Sequence, residues 1–197
     1  SILQVSQGGL GLPDRDYYFD EDKQDKREAY VQHVAKMLGF LADSGEPNDA
    51  AVAIAQKLLQ LETSMAQSYL TRTENRDPQV TYNKMTVADL TSTIGKDAFD
   101  FAAYFQGSTG KTPAELGDIN VRQTKALETL ADIMSTIDPA DLEQYLRFHV
   151  IHSYAPYLSK AIVEENFDFY ERKLSGTEEM KPRWKRAMAF VESALGE

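Results

Sequence analysis

Two of the three histidines in this sequence, His149 and His152, are three residues apart within a stretch of helical spacing. On a helix their imidazoles would lie on neighbouring faces and could share a metal ion. A zincin helix instead carries His-Glu-x-x-His, in which the Glu polarises the metal-bound water. Here Val150 occupies the Glu position, and no third ligand is evident. We therefore predict that His149 is a packed, hydrogen-bonded helix residue, with a metal site as the alternative, and we interpret the isolated His33 in the same way.

Two glycine-containing segments could in principle bind phosphate groups. Residues 107–112 have the composition of a phosphate-binding loop, but such a loop needs Gly where Phe105 stands and a strand that leads into a helix. Residues 9–11 lack the third glycine and the βαβ setting of a dinucleotide fingerprint. Neither segment predicts a nucleotide site, and residues 106–117 are interpreted as an exposed polar loop.

A carboxylate interrupts an apolar helix stripe at Glu62. Burying a carboxylate costs free energy unless a cation or hydrogen-bond donors compensate it. A cation such as Arg72 or Arg76 could compensate it, so we predict a structural ion pair. The other carboxylate pairs in this acidic chain are predicted to be solvated.

The most basic cluster is Arg183-Trp184-Lys185-Arg186. Arginine and tryptophan side chains can stack and bridge carboxylates, which suits either a contact between domains or a contact with acidic peptide. Helical spacing places Trp184 on an apolar face, so a contact between domains is favoured and Trp184 is predicted to be buried.

Apolar residues at helical spacing predict a mainly α fold, an irregular multi-helix assembly with at most a short strand pair. Asn48 or Asp49, Thr86 with Asp89, and Asp138-Pro139 are predicted helix starts. Residues 2–5 and 80–82 are predicted to be extended. The predicted helices span about residues 30–41, 48–69, 86–94, 99–105, 121–137, 138–155, 162–174 and 182–195. The break that begins at Gly45 is predicted to end the first of them, and Gly95 is predicted to end the third.

The composition restricts the possible functions. The chain has 197 residues, 42% of them hydrophobic, which is enough to bury a core in a single region. A net charge of −10 would on average repel the phosphate backbone of a nucleic acid, which argues against nucleic-acid binding. No stretch is long and apolar enough to span a bilayer, so no membrane contact by this segment is expected. With no cysteine, disulfides are excluded and the cellular compartment stays open.

Residues 8–18 combine glycines, a proline, charged residues and two adjacent tyrosines. Gly9 and Gly11 permit positive φ angles, and Pro13 restricts the residue before it, so the chain should turn sharply here. Carboxylates and tyrosine rings can hold such a turn against neighbouring elements. We interpret the segment as structural.

Four strings in order resemble the non-catalytic helical region of the neprilysin family of zinc metallopeptidases. They lie at residues 9–18, at 74–78 together with 82–86, at 155–158, and at 174–176 together with 182–186, and the resemblance covers essentially the whole chain. The positions that carry it are Gly9, Gly11, Pro13, Arg15, Asp16, Tyr17, Tyr18, Arg76, Asp77, Tyr82, Asn83, Arg183, Trp184 and Arg186.

The resemblance implies a two-lobed metalloendopeptidase, a hydrolase in which one lobe holds zinc and a mainly helical lobe closes over a water-filled chamber. Small peptides enter the chamber and folded proteins are kept out. The zinc-binding and substrate-binding motifs of the family are absent here, so the resemblance carries over no catalytic residue, no metal ligand and no cofactor. It implies zinc in the parent enzyme, and an exported, periplasmic or extracellular location.

Residues 1–197 are accordingly expected to be one helical region of a larger protein, inactive alone, with the zinc lobe of the same polypeptide as its partner. The start at Ser1 and the end directly after an amphipathic helix fit a fragment of that protein. The alternative is a stand-alone helical binding module without peptidase activity.

Overall fold

The two longest helices of the described residues are α2 (Gln24–Leu41) and α3 (Asp49–Ala66), and they share one hydrophobic cluster. The structure is a computed structural model that describes residues 2–42, 47–94 and 99–196. Asn48 caps α3, its side chain accepting a hydrogen bond from the Ala51 amide. Buried residues of both helices, including Tyr30, Val34 and Leu58, form the largest hydrophobic cluster.

Helix α9 (Pro139–Tyr154) and the segment that follows it complete this cluster. Asp138 starts α9 by accepting a hydrogen bond from the Ala140 amide, with Pro139 at the first helical position. A 3₁₀ turn (Ala155–Tyr157) interrupts the helix at Pro156, as predicted. The chain continues as α10 (Lys160–Asn166) and then as a π-helix (Phe167–Leu174) that buries Phe167 and Phe169.

A small sheet lies beside a second hydrophobic cluster. Its strands are β1 (Leu3–Val5), β2 (Lys84–Thr86) and β3 (Asp118–Val121), in the order β1-β3-β2. Strand β3 pairs parallel to β1, with Leu3 opposite Ile119, and antiparallel to β2, with Met85 opposite Ile119. The apolar residues of β3 pack against the shorter helices of this part of the chain.

The remaining helices are short, apart from two of 13 residues each. They are α1 (Asp16–Phe19), α4 (Pro78–Thr81), α5 (Val87–Ile94), α6 (Phe101–Thr109), α7 (Pro113–Leu116), α8 (Thr124–Thr136) and α11 (Arg183–Leu195), with 3₁₀ turns at Glu21–Lys23 and Glu74–Arg76. The prediction of a mainly α fold is confirmed. No helix in the described ranges combines the length and the apolar character needed to cross a membrane.

Three local predictions were wrong. Residues 80 and 81 are helical rather than extended, because the Asp77 side chain caps α4 and Pro78 occupies its first position. The predicted loop at 106–117 contains the end of α6 and all of α7, which a reciprocal capping box between Thr112 and Glu115 starts. The sheet has a third strand, β3, rather than being a pair. The predicted helix stops at Gly45 and Gly95 lie outside the described residues.

Candidate functional site

The Glu62 side chain is completely buried, with 0% of its surface exposed. Its carboxylate accepts hydrogen bonds from the hydroxyls of Tyr18 at 2.6 Å and Tyr30 at 2.9 Å, and from the Gly11 amide at 3.2 Å. The His149 Nε2 atom lies 3.2 Å from Oε1 of the carboxylate. The donors come from α1, α2, α9 and the turn before α1, so this carboxylate joins four separate parts of the fold.

The predicted ion pair between Glu62 and an arginine is wrong. Arg72 Nε instead lies 2.6 Å from the Asp14 carboxylate, and Arg76 lines a surface cavity. The position on the apolar stripe correctly indicated burial of Glu62, but hydroxyl and amide donors and one imidazole satisfy it instead of a guanidinium.

The backbone of residues 8–12, which we call the glycine turn, is held by tyrosines from α1, from α9, from the π-helix and from the turn after α3. Gly9 has a φ angle of +89°, in the region that favours glycine. A Cβ atom at Gly11 would overlap the Tyr30 hydroxyl, so only glycine fits there. Four hydroxyls, which we call the tyrosine clamp, bond this backbone: Tyr69 donates to Gly8 O, Tyr145 to Gly9 O at 2.6 Å, Tyr170 to Gly11 O at 3.0 Å, and Tyr18 accepts from Leu12 N at 3.0 Å.

The hydroxyls of the tyrosine clamp and of Tyr30 act through hydrogen bonds and not as acids or bases. Burial first, and then the negative charge of Glu62, raise the pKa of Tyr18 and of Tyr30 well above the ordinary value. Burial likewise raises the pKa of Tyr69 to about 12. The tyrosines therefore stay protonated at neutral pH and continue to donate.

All three histidines pack around the buried Phe148 ring. His33 Nδ1 lies 3.0 Å from the Glu165 carboxylate, and His152 Nδ1 lies 3.2 Å from the Asn166 side-chain oxygen. Because carboxylate and amide oxygens accept hydrogen bonds, Nδ1 carries the proton in both rings. Burial lowers the pKa of His33, against the opposing effect of Glu165, and burial also lowers the pKa of His152.

The histidines do not form a zinc site. Each ring directs one nitrogen to a different oxygen, on Glu165, Asn166 or Glu62, so they do not converge on a common point. Residues 2–42, 47–94 and 99–196 contain no group of three His, Asp or Glu side chains that could hold a metal ion. The described residues therefore do not fit a catalytic zinc.

The other predicted positions are dispersed. Tyr17 is half-buried, and its carbonyl accepts a hydrogen bond from Arg27 at 2.8 Å. Asp16 begins α1, Tyr82 is exposed, and the Asn83 side chain donates to two backbone carbonyls. Pro13, Arg15 and Arg76 line the cavity beside the glycine turn. Gly11 and Tyr18 are thus brought together at Glu62, and Gly9 is held nearby in the glycine turn by Tyr145, whereas Tyr82 and Asn83 make no contact with Glu62 among the described residues.

The prediction that Trp184 is buried is wrong, since 65% of its surface is exposed. Arg183 is also exposed, and the half-buried Arg186 donates to the Lys181 carbonyl at 3.2 Å. Helix α11 contacts the rest of the protein through another face, where the Phe190 and Tyr157 rings lie 4.6 Å apart. An apolar stripe on α11, the α11 stripe, therefore faces outward: Trp184, Met188, Val191 and Leu195.

The family model of the N-terminal region of peptidase family M13 matches residues 1–197, the whole chain. The chain belongs to peptidase family M13. The prediction of a neprilysin-family helical region is thereby confirmed, together with the association with zinc metallopeptidases.

Relatives of this M13 chain include endothelin-converting enzyme 1 of Cavia porcellus, 27% identical over 200 residues, which cover 100% of this chain and 26% of the relative. Membrane metallo-endopeptidase-like 1 of Mus musculus is 25% identical, over 99% of this chain and 27% of the relative. The chain thus spans about a quarter of the length of these curated relatives.

Among solved structures, the Mycobacterium tuberculosis zinc metalloprotease Zmp1 in complex with an inhibitor is similar to this M13 chain, with a TM-score of 0.89 and 33% identity. The match covers 98% of this chain and 28% of Zmp1. Zmp1 in its open state gives a TM-score of 0.88 and 30% identity, over 98% of this chain and 29% of Zmp1.

Sequence reasoning missed most of the Glu62 environment. Tyr30, Tyr69, Tyr145 and Tyr170 of this M13 chain are scattered through the sequence, and no spacing connects them with the glycine turn. The usable signal was chemical: a carboxylate on an apolar stripe requires several donors, and tyrosine is the residue that brings a donor into an apolar core.

Proposed function

We propose that this chain is the helical, non-catalytic lobe of an M13 zinc metalloendopeptidase that cleaves small peptides. The zinc and the groups that activate water would belong to the rest of the polypeptide, which is the partner of this lobe. Two findings support the proposal: the chain corresponds to about a quarter of each metallopeptidase relative, and its own histidines are each engaged elsewhere.

The observation that carries the proposal is the outward-facing α11 stripe. Its residues recur at helical spacing, and Leu195 at its end is 78% exposed. A second apolar row on α9 contains Leu146, Val150 and Tyr154, each more than half exposed. Contiguous apolar rows of this kind in a soluble protein are typical of surfaces that pack against another domain. We infer that the zinc lobe covers them.

The role we propose for the lobe is geometric. Glu62 and the tyrosine clamp fix α2, α3, α9 and the π-helix to one glycine turn, so this part of the lobe should behave as a rigid wall. A rigid wall over the zinc lobe would admit short peptides, exclude folded proteins and keep bulk water out of the cleft. By analogy with the relatives, the enzyme would act on the exported, periplasmic or extracellular side.

The reading frame gives the first test. We expect the coding sequence to continue beyond residue 197 into a helix with His-Glu-x-x-His. A frame that stops near Glu197 would reject the peptidase lobe and support a stand-alone binding module instead.

The second test uses the full-length protein with Met188→Asp in the α11 stripe. Burying this carboxylate against an apolar partner surface should weaken the contact between lobes, so cleavage of short peptides should fall and the size limit on substrates should relax. The matched control is Ser193→Asp, because Ser193 is exposed on the same helix outside the stripe. Equal peptidase activity in the two variants would contradict the proposed packing.

A further inference from the structure

A cavity of about 490 Å³ lies between the glycine turn and the 3₁₀ turn Glu74–Arg76. We call it the arginine cavity, because Arg15, Arg72 and Arg76 all line it. Its size is within the range of sites for small organic ligands. Apolar side chains, among them Leu12 and Pro13, form part of the same lining.

The charges in this lining are not balanced. Asp14 is the one carboxylate among the described residues that line the cavity, and Arg72 Nε lies 2.6 Å from it. The other Asp14 oxygen accepts a hydrogen bond from the Asp16 amide at 2.9 Å. Asp14 is therefore already engaged, and two guanidinium groups are left without a carboxylate in the lining.

The remaining arginines have unused hydrogen-bonding capacity. The Arg15 Nε atom is buried and has no hydrogen-bond partner, and Arg15 NH1 reaches the Asp16 carboxylate only at 3.5 Å. Within residues 2–42, 47–94 and 99–196, the Arg76 side chain makes no hydrogen bond or ion pair. A buried donor without a protein partner is rare in native structures, and it is available to an acceptor from outside the chain.

We propose that the arginine cavity binds a small oxyanion attached to an apolar body, with Arg15 and Arg76 as its ligands. Guanidinium groups match carboxylate and phosphate oxygens in a bidentate geometry, and either group would satisfy the unused donors. In a chain of net charge −10, a cavity whose lining has three arginines and one carboxylate is the reverse of the average surface. The apolar walls would hold the body of the ligand. This inference is independent of the peptidase role.

The test is calorimetric titration of the full-length protein with inorganic phosphate and, separately, with benzoate, at constant ionic strength maintained with chloride. We expect saturable binding of at least one anion. The anion that binds identifies the natural ligand as a phosphate or a carboxylate. Arg76→Gln should weaken that binding roughly tenfold or more, the equivalent of one charge-assisted hydrogen bond. Because the Arg76 side chain has no partner in the described structure, this variant should fold normally.

The control is Arg183→Gln, which removes the same charge from an exposed residue outside the cavity and should bind like the parent protein. Two outcomes would overturn the proposal. One is no saturable binding of either anion, which would assign the cavity to an acidic side chain from elsewhere in the polypeptide. The other is an equal weakening of anion binding in the Arg76 and Arg183 variants, which would show that the effect depends only on net charge.

Discussion

Replacing Glu62 with alanine should be among the most destabilising single changes in this protein. The substitution removes the acceptor of the Tyr18 and Tyr30 hydroxyls and of the Gly11 amide, and all three donors are buried. Each buried donor left without a partner costs about 1–3 kcal/mol, and the loss of the side chain also leaves a cavity. Partial relaxation reduces the sum, so we expect the free energy of unfolding to fall by about 3–5 kcal/mol.

Glu62→Gln separates the charge from the hydrogen bonds. The amide oxygen can still accept from two donors, whereas the amide nitrogen cannot accept from the others. We therefore expect a smaller loss, about 1–2 kcal/mol, because bonds to a charged acceptor become bonds to a neutral one. A free energy of unfolding that decreases from the parent to the glutamine variant and then to the alanine variant is the result expected for a hydrogen-bonded carboxylate.

The assay is urea denaturation followed by far-ultraviolet circular dichroism, with the slope of the transition compared between variants. The single tryptophan is a poor reporter here, since Trp184 is exposed. In thermal unfolding the alanine variant should melt about 6–20 °C lower, given a chain of this length. Gln60→Ala, an exposed position on the same helix, is the control and should stay within about 0.5 kcal/mol of the parent. A loss below about 1 kcal/mol for Glu62→Ala would refute the reasoning.

Two further predictions concern the same core. Gly11→Ala should lower the free energy of unfolding by about 3 kcal/mol or more, because the new Cβ would collide with the Tyr30 hydroxyl. Gly8→Ala should be nearly neutral, because a Cβ there has open space. Chemical denaturation compares the two variants, and equal effects would contradict the steric explanation. Stability should fall as the pH drops below about 6.5, since the unfolded chain then binds protons that His33 and His152, with pKa values lowered by burial, do not accept in the native state. His33→Phe should make the loss between pH 6.5 and 5 shallower, and an unchanged pH profile would remove His33 from the account. Protonation of His33 is costly because its buried Nε2 has no acceptor nearby.

Helix starts were predictable because their signals are local. Asn48, Asp138 with Pro139, and Thr86 with Asp89 each satisfy backbone amides within three residues, so the short sequence contains both partners. Strand β3 was not predictable in this way, because its partners in β1 and β2 are distant in the sequence. The burial of Glu62 was predictable from its place on an apolar stripe. Its partners were not, since they lie 32 to 87 residues away.

The α11 stripe shows a different limit. Its spacing correctly indicated an apolar face, but periodicity does not identify what covers that face. Among the described residues the stripe remains exposed, which is why the prediction for Trp184 failed. The same periodicity therefore supports the proposal that the covering surface belongs to the rest of an M13 polypeptide.

The central claim is that catalysis and zinc binding reside outside these residues. The most direct measurement is the zinc content and peptidase activity of residues 1–197 alone, purified in the presence of zinc and checked for helical circular dichroism, beside the full-length protein. The account predicts substoichiometric zinc and no hydrolysis of short peptides by the folded segment, and one zinc per chain with hydrolysis by the full-length protein. One tightly bound zinc per segment, together with peptide hydrolysis, would contradict it.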